Sequence, residues 1–161
     1  MFVRGYTPSR KKKMHPKETA MNFIARALRV ILIALTLFLT VTAFLGGIAL
    51  LVGLNAPPVE MLQGSPFHNW TIPGLGLALI VAGSALFAAI LLLRKSKYAL
   101  LFATTAGVII MFFEFVEALV IGSPAGAAQV MQISYFGLGT LIVVAAMGMW
   151  FLELISTPDK G

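Results

Sequence analysis

Two acidic residues, Glu114 and Glu117, hold most of the chemical promise of this 161-residue chain. They lie inside the apolar run of residues 98–122, YALLFATTAGVIIMFFEFVEALVIG. Acidic side chains within a run that can cross a bilayer are rare and tend to be functional. Three apart on a helix, they share a face. With the helix centred near Ile110, Glu114 lies about 6 Å and Glu117 about 10 Å outward of the midplane, at roughly 1.5 Å per residue. Glu117 reaches water from there at small cost. Glu114 must face the bundle, be protonated or find a donor.

Donors occur at the same level. Gln129, Gln132, Ser134 and Tyr135 open the fourth apolar run, and His68, Asn69, Trp70 and Thr71 precede the second. The expectation is a polar pocket near the outer leaflet, lined by Glu114, Glu117, Gln132 and Tyr135, with His68 in a loop that covers it. Such a pocket suits a proton or a cation, or the head group of a lipid or quinone. The plainer reading is a hydrogen-bonded cluster that fixes helix register.

Other chemistry has little to stand on. There is no Gly-rich phosphate loop, no His-Glu metal pattern and no Ser-His-Asp arrangement, so no catalytic residue is assigned. Glu-x-x-Glu lacks the Glu-x-x-His pairs of a di-iron bundle. The absence of cysteine excludes disulfides, thiolate zinc sites, iron–sulfur clusters and covalently attached c-type haem. The two histidines, His15 and His68, fall on opposite sides of the predicted membrane, which separates them for a shared metal or haem. No metal and no cofactor is expected. A lipid- or quinone-modifying enzyme ranks last, for want of a nucleophile–base pair.

The elements that position the two glutamates are membrane spans. The composition is 59% hydrophobic, above the roughly half usual for a soluble domain. Four runs are long enough to cross about 30 Å of hydrocarbon, with spans at about 27–54, 73–94, 98–122 and 131–155. The predicted fold is all-α, a polytopic four-transmembrane-helix bundle. Its first apolar run, 30–54, exceeds a signal-peptide core of about 7–15 residues and reads as a retained anchor. Pro57–Pro58 is expected to end the first helix. Phe67 and Trp70 are expected at the head-group level.

All 12 basic residues fall in three places. Arg4, Arg10, Lys11, Lys12, Lys13, Lys17, Arg26 and Arg29 precede the first span, Arg94, Lys95 and Lys97 lie between the second and third, and Lys160 is near the end. The positive-inside rule then places both termini in the cytoplasm, for a multi-pass protein of the cell (inner) membrane. The domain reading is a basic, disordered cytoplasmic arm over 1–22, a four-helix membrane domain over 23–155 and a cytoplasmic tail over 156–161. Lys11, Lys12, Lys13, Arg26, Arg29, Arg94, Lys95 and Lys97 are expected to contact anionic head groups, each contributing on the order of 1 kcal/mol. Nucleic acid is not expected, because the net charge of +6 is placed for lipid.

Helix association in lipid relies on small residues that allow close approach. Gly74, Ala78 and Ala82 are spaced four apart, as are Ala99, Ala103 and Gly107, and the short 94–97 turn suggests that these two faces meet. Gly137, Gly139, Ala145, Ala146 and Gly148 mark the fourth span. A face left over would serve other membrane-protein subunits.

Gly64-Ser65-Pro66-Phe67, Ile72-Pro73-Gly74-Leu75 and Gln132-Ile133-Ser134-Tyr135-Phe136 before Gly137 and Gly139 resemble a broad group of small, uncharacterised bacterial four-span membrane proteins, over about residues 30–155. The resemblance implies a four-helix membrane fold and supplies no activity. The functional expectation is a non-enzymatic accessory or scaffold subunit of a larger membrane complex. The alternative is a small proton- or cation-handling transporter or channel component that uses Glu114 and Glu117.

Overall fold

The computed structural model describes residues 16–54, 56–123 and 125–156, with side chains within 20–155. Long, predominantly apolar sequence gives four long helices: α1 over Pro16–Leu51, α2 over Thr71–Leu93, α3 over Ala99–Ile121 and α4 over Ala127–Ser156. All four are long and apolar enough to cross a membrane, including the shortest, of 23 residues. At about 1.5 Å per residue such a helix covers about 35 Å, more than the hydrocarbon core needs. The chain is a multi-pass integral membrane protein.

The bounds differ from expectation mainly at two helix starts. α1 begins at Pro16, so its first turns take in residues 16–22, assigned by sequence to the arm. Proline is well suited to a first helical position, where its missing N–H has no partner to lose. Residues 1–15, with Lys11, Lys12 and Lys13, and the tail over 157–161 lie outside the described residues. α4 begins at Ala127, a turn before the predicted 131.

The helices form a closed square. α1 packs on α2 and α4, α3 packs on the same two, and α1 and α3 face each other across a diagonal. The α2–α3 turn lies at the end that carries the start of α1 and the end of α4, here the termini end; the other is the far end. Leu32, Leu39, Val81, Ile110 and Ile142 fill the centre, with Ala85, Ala88, Ala103, Ala106 and Ala146 between them. Alanine at so many central positions lets the helices approach closely and gain dispersion contacts, the main attraction available in lipid.

Two crossings are tighter still. A Cβ on Gly47 would lie 2.6 Å from the Gly74 carbonyl oxygen and 2.7 Å from the Ala78 Cβ, and a Cβ on Gly139 would lie 2.7 Å from the Gly107 carbonyl oxygen. This corrects the expected pairing of small faces. Gly74 and Ala78 serve the α1–α2 contact, and Gly107 serves the α3–α4 contact. Ala82, Ala99 and Ala103 do share the central cluster. The 94–97 turn makes α2 and α3 neighbours, but the closest approach goes to helix pairs in which both partners offer glycine.

α1 also ends differently from expectation. Gly53, not Pro57–Pro58, stops it. Gly53 has φ +69°, its N–H bonds to the Leu50 carbonyl, and the Leu54 N–H reaches back to the Ala49 carbonyl. This is a Schellman cap, which favours glycine at its left-handed position. α2 ends in the same motif, with Ser96 N–H on the Leu91 carbonyl and Lys95 N–H on the Leu92 carbonyl, but a lysine occupies the left-handed position at φ 52°. A non-glycine residue there costs roughly 1 kcal/mol. Lys95→Gly should therefore raise the unfolding midpoint in detergent, by a gain of about 1 kcal/mol.

The loop after α1 folds onto the far end of the bundle. Its 3₁₀ turn, Val59–Leu62, lies against α3, and Leu62 is buried. Trp70 is buried too, and its indole N–H donates to the Pro57 carbonyl at 2.7 Å. Trp70 thus ties the two ends of the loop together. The indole N–H needs an acceptor once buried, and the Pro57 carbonyl supplies it. Just below, α2 widens into a π-helical stretch over Gly76–Val81, a local form often found at functional sites.

Candidate functional site at the far end of the bundle

The inward stripe of α3 runs Ala99, Ala103, Ala106, Ile110, Glu114, all buried. Glu114 is the next step of a helical repeat and is only 6% exposed. Among the described residues, no side chain donates a hydrogen bond to its carboxyl. Glu117, one turn nearer the far end, is half-buried.

Antiparallel packing brings the start of α4 beside Glu117. The Gln132 side chain, 5% exposed, fills the gap. Its amide nitrogen donates to the Gly122 carbonyl at 3.1 Å and to Glu117 Oε1 at 3.4 Å, and its amide oxygen accepts from the Ser123 hydroxyl at 2.7 Å. Gly122 has φ +73°, which favours glycine, and this turn ends α3 and exposes the carbonyl to the amide. Gln132 thus ties the α3–α4 connection to α4 through two bonds and α3 itself to α4 through a third. Gln132→Leu should lower stability by about 1–2 kcal/mol, because it strands the Gly122 carbonyl and the Ser123 hydroxyl. Reversible unfolding in mixed micelles measures this.

Glu114, Glu117 and Gln132 therefore lie together. Tyr135 is half-buried and packs against the apolar core, and His68 is exposed in the loop. Among the described residues, no hydrogen bond joins either of them to the carboxyls. Gln129 and Ser134 are exposed as well. Gly122 and Ser123, the two further partners of Gln132, were not singled out from sequence. Their one signal was a Gly-Ser pair directly after an apolar run, which reads only as a turn.

Sequence reasoning also missed a cavity. About 190 Å³ of space lies between α1, α2, α3 and the loop, with Leu62, Phe67, Trp70, Phe113 and Glu117 in its wall. Among the described residues of that wall, Glu117 is the one that ionises. Gln132 engages one carboxylate oxygen of Glu117, and the other has no hydrogen-bond partner among the described residues.

At the termini end, Arg26, Arg94, Lys95 and Lys97 are exposed and Arg29 is half-buried. The Lys97 ammonium sits 4.9 Å from the centre of the Tyr98 ring. Among the described residues, no group of three or more His, Cys, Asp or Glu could hold a metal ion.

No protein-family model matches this chain, and no curated protein and no solved structure matches it. The resemblance to bacterial four-span proteins therefore rests on its short motifs, and function has to be argued from the bundle itself.

Proposed function

We propose that this protein is a non-enzymatic accessory or scaffold subunit of a larger assembly in the inner membrane, with both termini cytoplasmic. The observation that carries this reading is a groove on the lipid-facing side between α1 and α4, lined by Phe38, Tyr135, Gly137, Leu138 and Leu141. A partner helix can lie there, because Gly137 has no atom within 4 Å of where a Cβ would be. The interior supports the same reading. In the half near the termini it is apolar, and the hydroxyl of buried Thr36 is spent on the Leu32 carbonyl at 2.7 Å. A bundle without a polar path through it acts through its surface. The basic arm, with Arg26, Arg29, Arg94, Lys95 and Lys97, would hold the termini end against anionic head groups.

Gentle detergent extraction from the native membrane, followed by sizing and identification of co-migrating proteins, tests this. A stoichiometric larger partner supports the subunit role. A lone monomer or homo-oligomer overturns it.

A second reading is a proton- or cation-handling component that uses Glu114 and Glu117. It is favoured by the burial of Glu114 without a donor among the described residues. Glu114→Gln in reconstituted vesicles decides it: loss of a proton- or cation-driven flux with folding intact supports it, and an unchanged flux sinks it.

A further inference from the structure

The cavity beside Glu117 carries an inference about ligand class. Its wall is apolar and aromatic except for one carboxylate. The chain brings no cation to that end: residues 55–72 and 122–130 contain no lysine or arginine. Glu114 sits one turn further in, on the same face of α3. One carboxylate therefore lies in the wall of an apolar hollow, with a second a turn away on α3 and no lysine or arginine in these loops to balance them. Aromatic walls add to the preference for positive charge, since a cation over a ring face is attracted by its quadrupole. Trp70 is fixed as a wall by its bond to the Pro57 carbonyl.

Size narrows the choice. A cavity of about 150 Å³ accepts benzene, so about 190 Å³ suits one aromatic ring with a small substituent. From this, the geometry points to a binding site for a small lipophilic organic cation, with its ammonium on the free oxygen of Glu117 and its apolar body between Trp70, Phe67, Leu62 and Phe113. Inorganic cations fit the carboxylate but leave the apolar space empty. A neutral lipid chain fills the space but leaves the carboxylate unpaired. This inference rests on the second reading above for the role of Glu117, and is independent of the subunit role.

The test compares two probes of nearly one shape, benzylammonium and neutral ethylbenzene, by calorimetry on the full chain in detergent. The cation should bind more tightly. Glu117→Gln should weaken it roughly tenfold or more, the loss that follows removal of a partly desolvated charge partner, and leave ethylbenzene unchanged. Val120→Phe, which fills the cavity from α3, should abolish the binding of both probes, and it tests the site even if Glu117→Gln folds poorly. Equal binding of both probes with no effect of Glu117→Gln would make the cavity a slot for acyl chains and overturn the inference. Binding of neither probe overturns it too. A sodium- or proton-linked response that depends on Glu117, without binding of the organic cation, overturns it while sparing the second reading.

Discussion

Gly139→Leu should prevent the bundle from assembling, and Gly139→Ala alone should lower its stability by about 1–3 kcal/mol, the usual range for overpacking a tight contact. A Cβ at Gly139 would stand 2.7 Å from the Gly107 carbonyl oxygen, 2.7 Å from Met111 Cγ and 2.8 Å from Ile110 Cγ2. Met111 can swing aside, but the carbonyl belongs to the helix backbone and moves only if α3 moves. Gly107→Ala meets the mirror-image obstacle, the Gly139 carbonyl oxygen at 2.8 Å. The two changes crowd the same crossing, and the separation forced by one makes room for the other, so the double variant should cost less than the sum of the two. Gly47→Ala should behave in the same way at the α1–α2 crossing. Gly83 and Gly148 are the controls. Neither has an atom within 4 Å of a built Cβ, so alanine there should be neutral or slightly stabilising, as alanine is in helices generally. Unfolding in mixed micelles, followed by helical circular dichroism, gives the order. Equal stability of Gly139→Ala and Gly148→Ala would show that α3 and α4 do not meet through glycine.

The spans were legible in the sequence because their signal is simple: long apolar runs with no lysine or arginine inside them, separated by prolines, polar clusters or basic residues. The inward place of Glu114 was legible for a related reason. It continues the spacing of Ala99, Ala103, Ala106 and Ile110, and a carboxyl on that repeat must face the other helices. Partner choice was not legible. Every helix here offers small residues, and spacing alone does not say whether Gly74 meets Gly47 or Gly107. That depends on which pair of backbones can approach with glycine on both sides. Helix ends were misjudged where two stop signals compete. Pro57–Pro58 is the more conspicuous, but Gly53 comes first and completes a hydrogen-bonded cap. Trp70 shows the limit of composition rules. A tryptophan near a span end is commonly interfacial, and composition does not say that this one also finds a carbonyl acceptor within its own loop. The cavity was invisible because its wall comes from four separate segments, and the residues of that wall look like ordinary apolar sequence.

Glu114→Met should raise stability by about 1 kcal/mol, the low end for a polar group left without a partner, because Glu114 is largely buried but its carboxyl oxygens are not fully enclosed. Methionine has a similar length, is flexible enough to fill an irregular gap and carries no group that needs a donor. Glu117→Gln should change stability far less, because Glu117 is half-buried and an amide can keep the contact with Gln132. The contrast between the two positions, three residues apart, separates burial from mere acidity. Reversible unfolding of the three proteins in the same micelles makes the comparison. A gain at Glu114 means that the bundle carries this carboxyl at a cost to its own stability, as is usual for groups retained for function. A loss at Glu114 means the opposite: the carboxyl has a partner in the membrane that the chain itself does not supply. In that case Glu114→Gln and Glu114→Met should diverge, since the amide can still engage a polar partner and the thioether cannot. The sign of one stability change at Glu114 therefore shows whether this site is complete within the chain or is completed by something that binds to it.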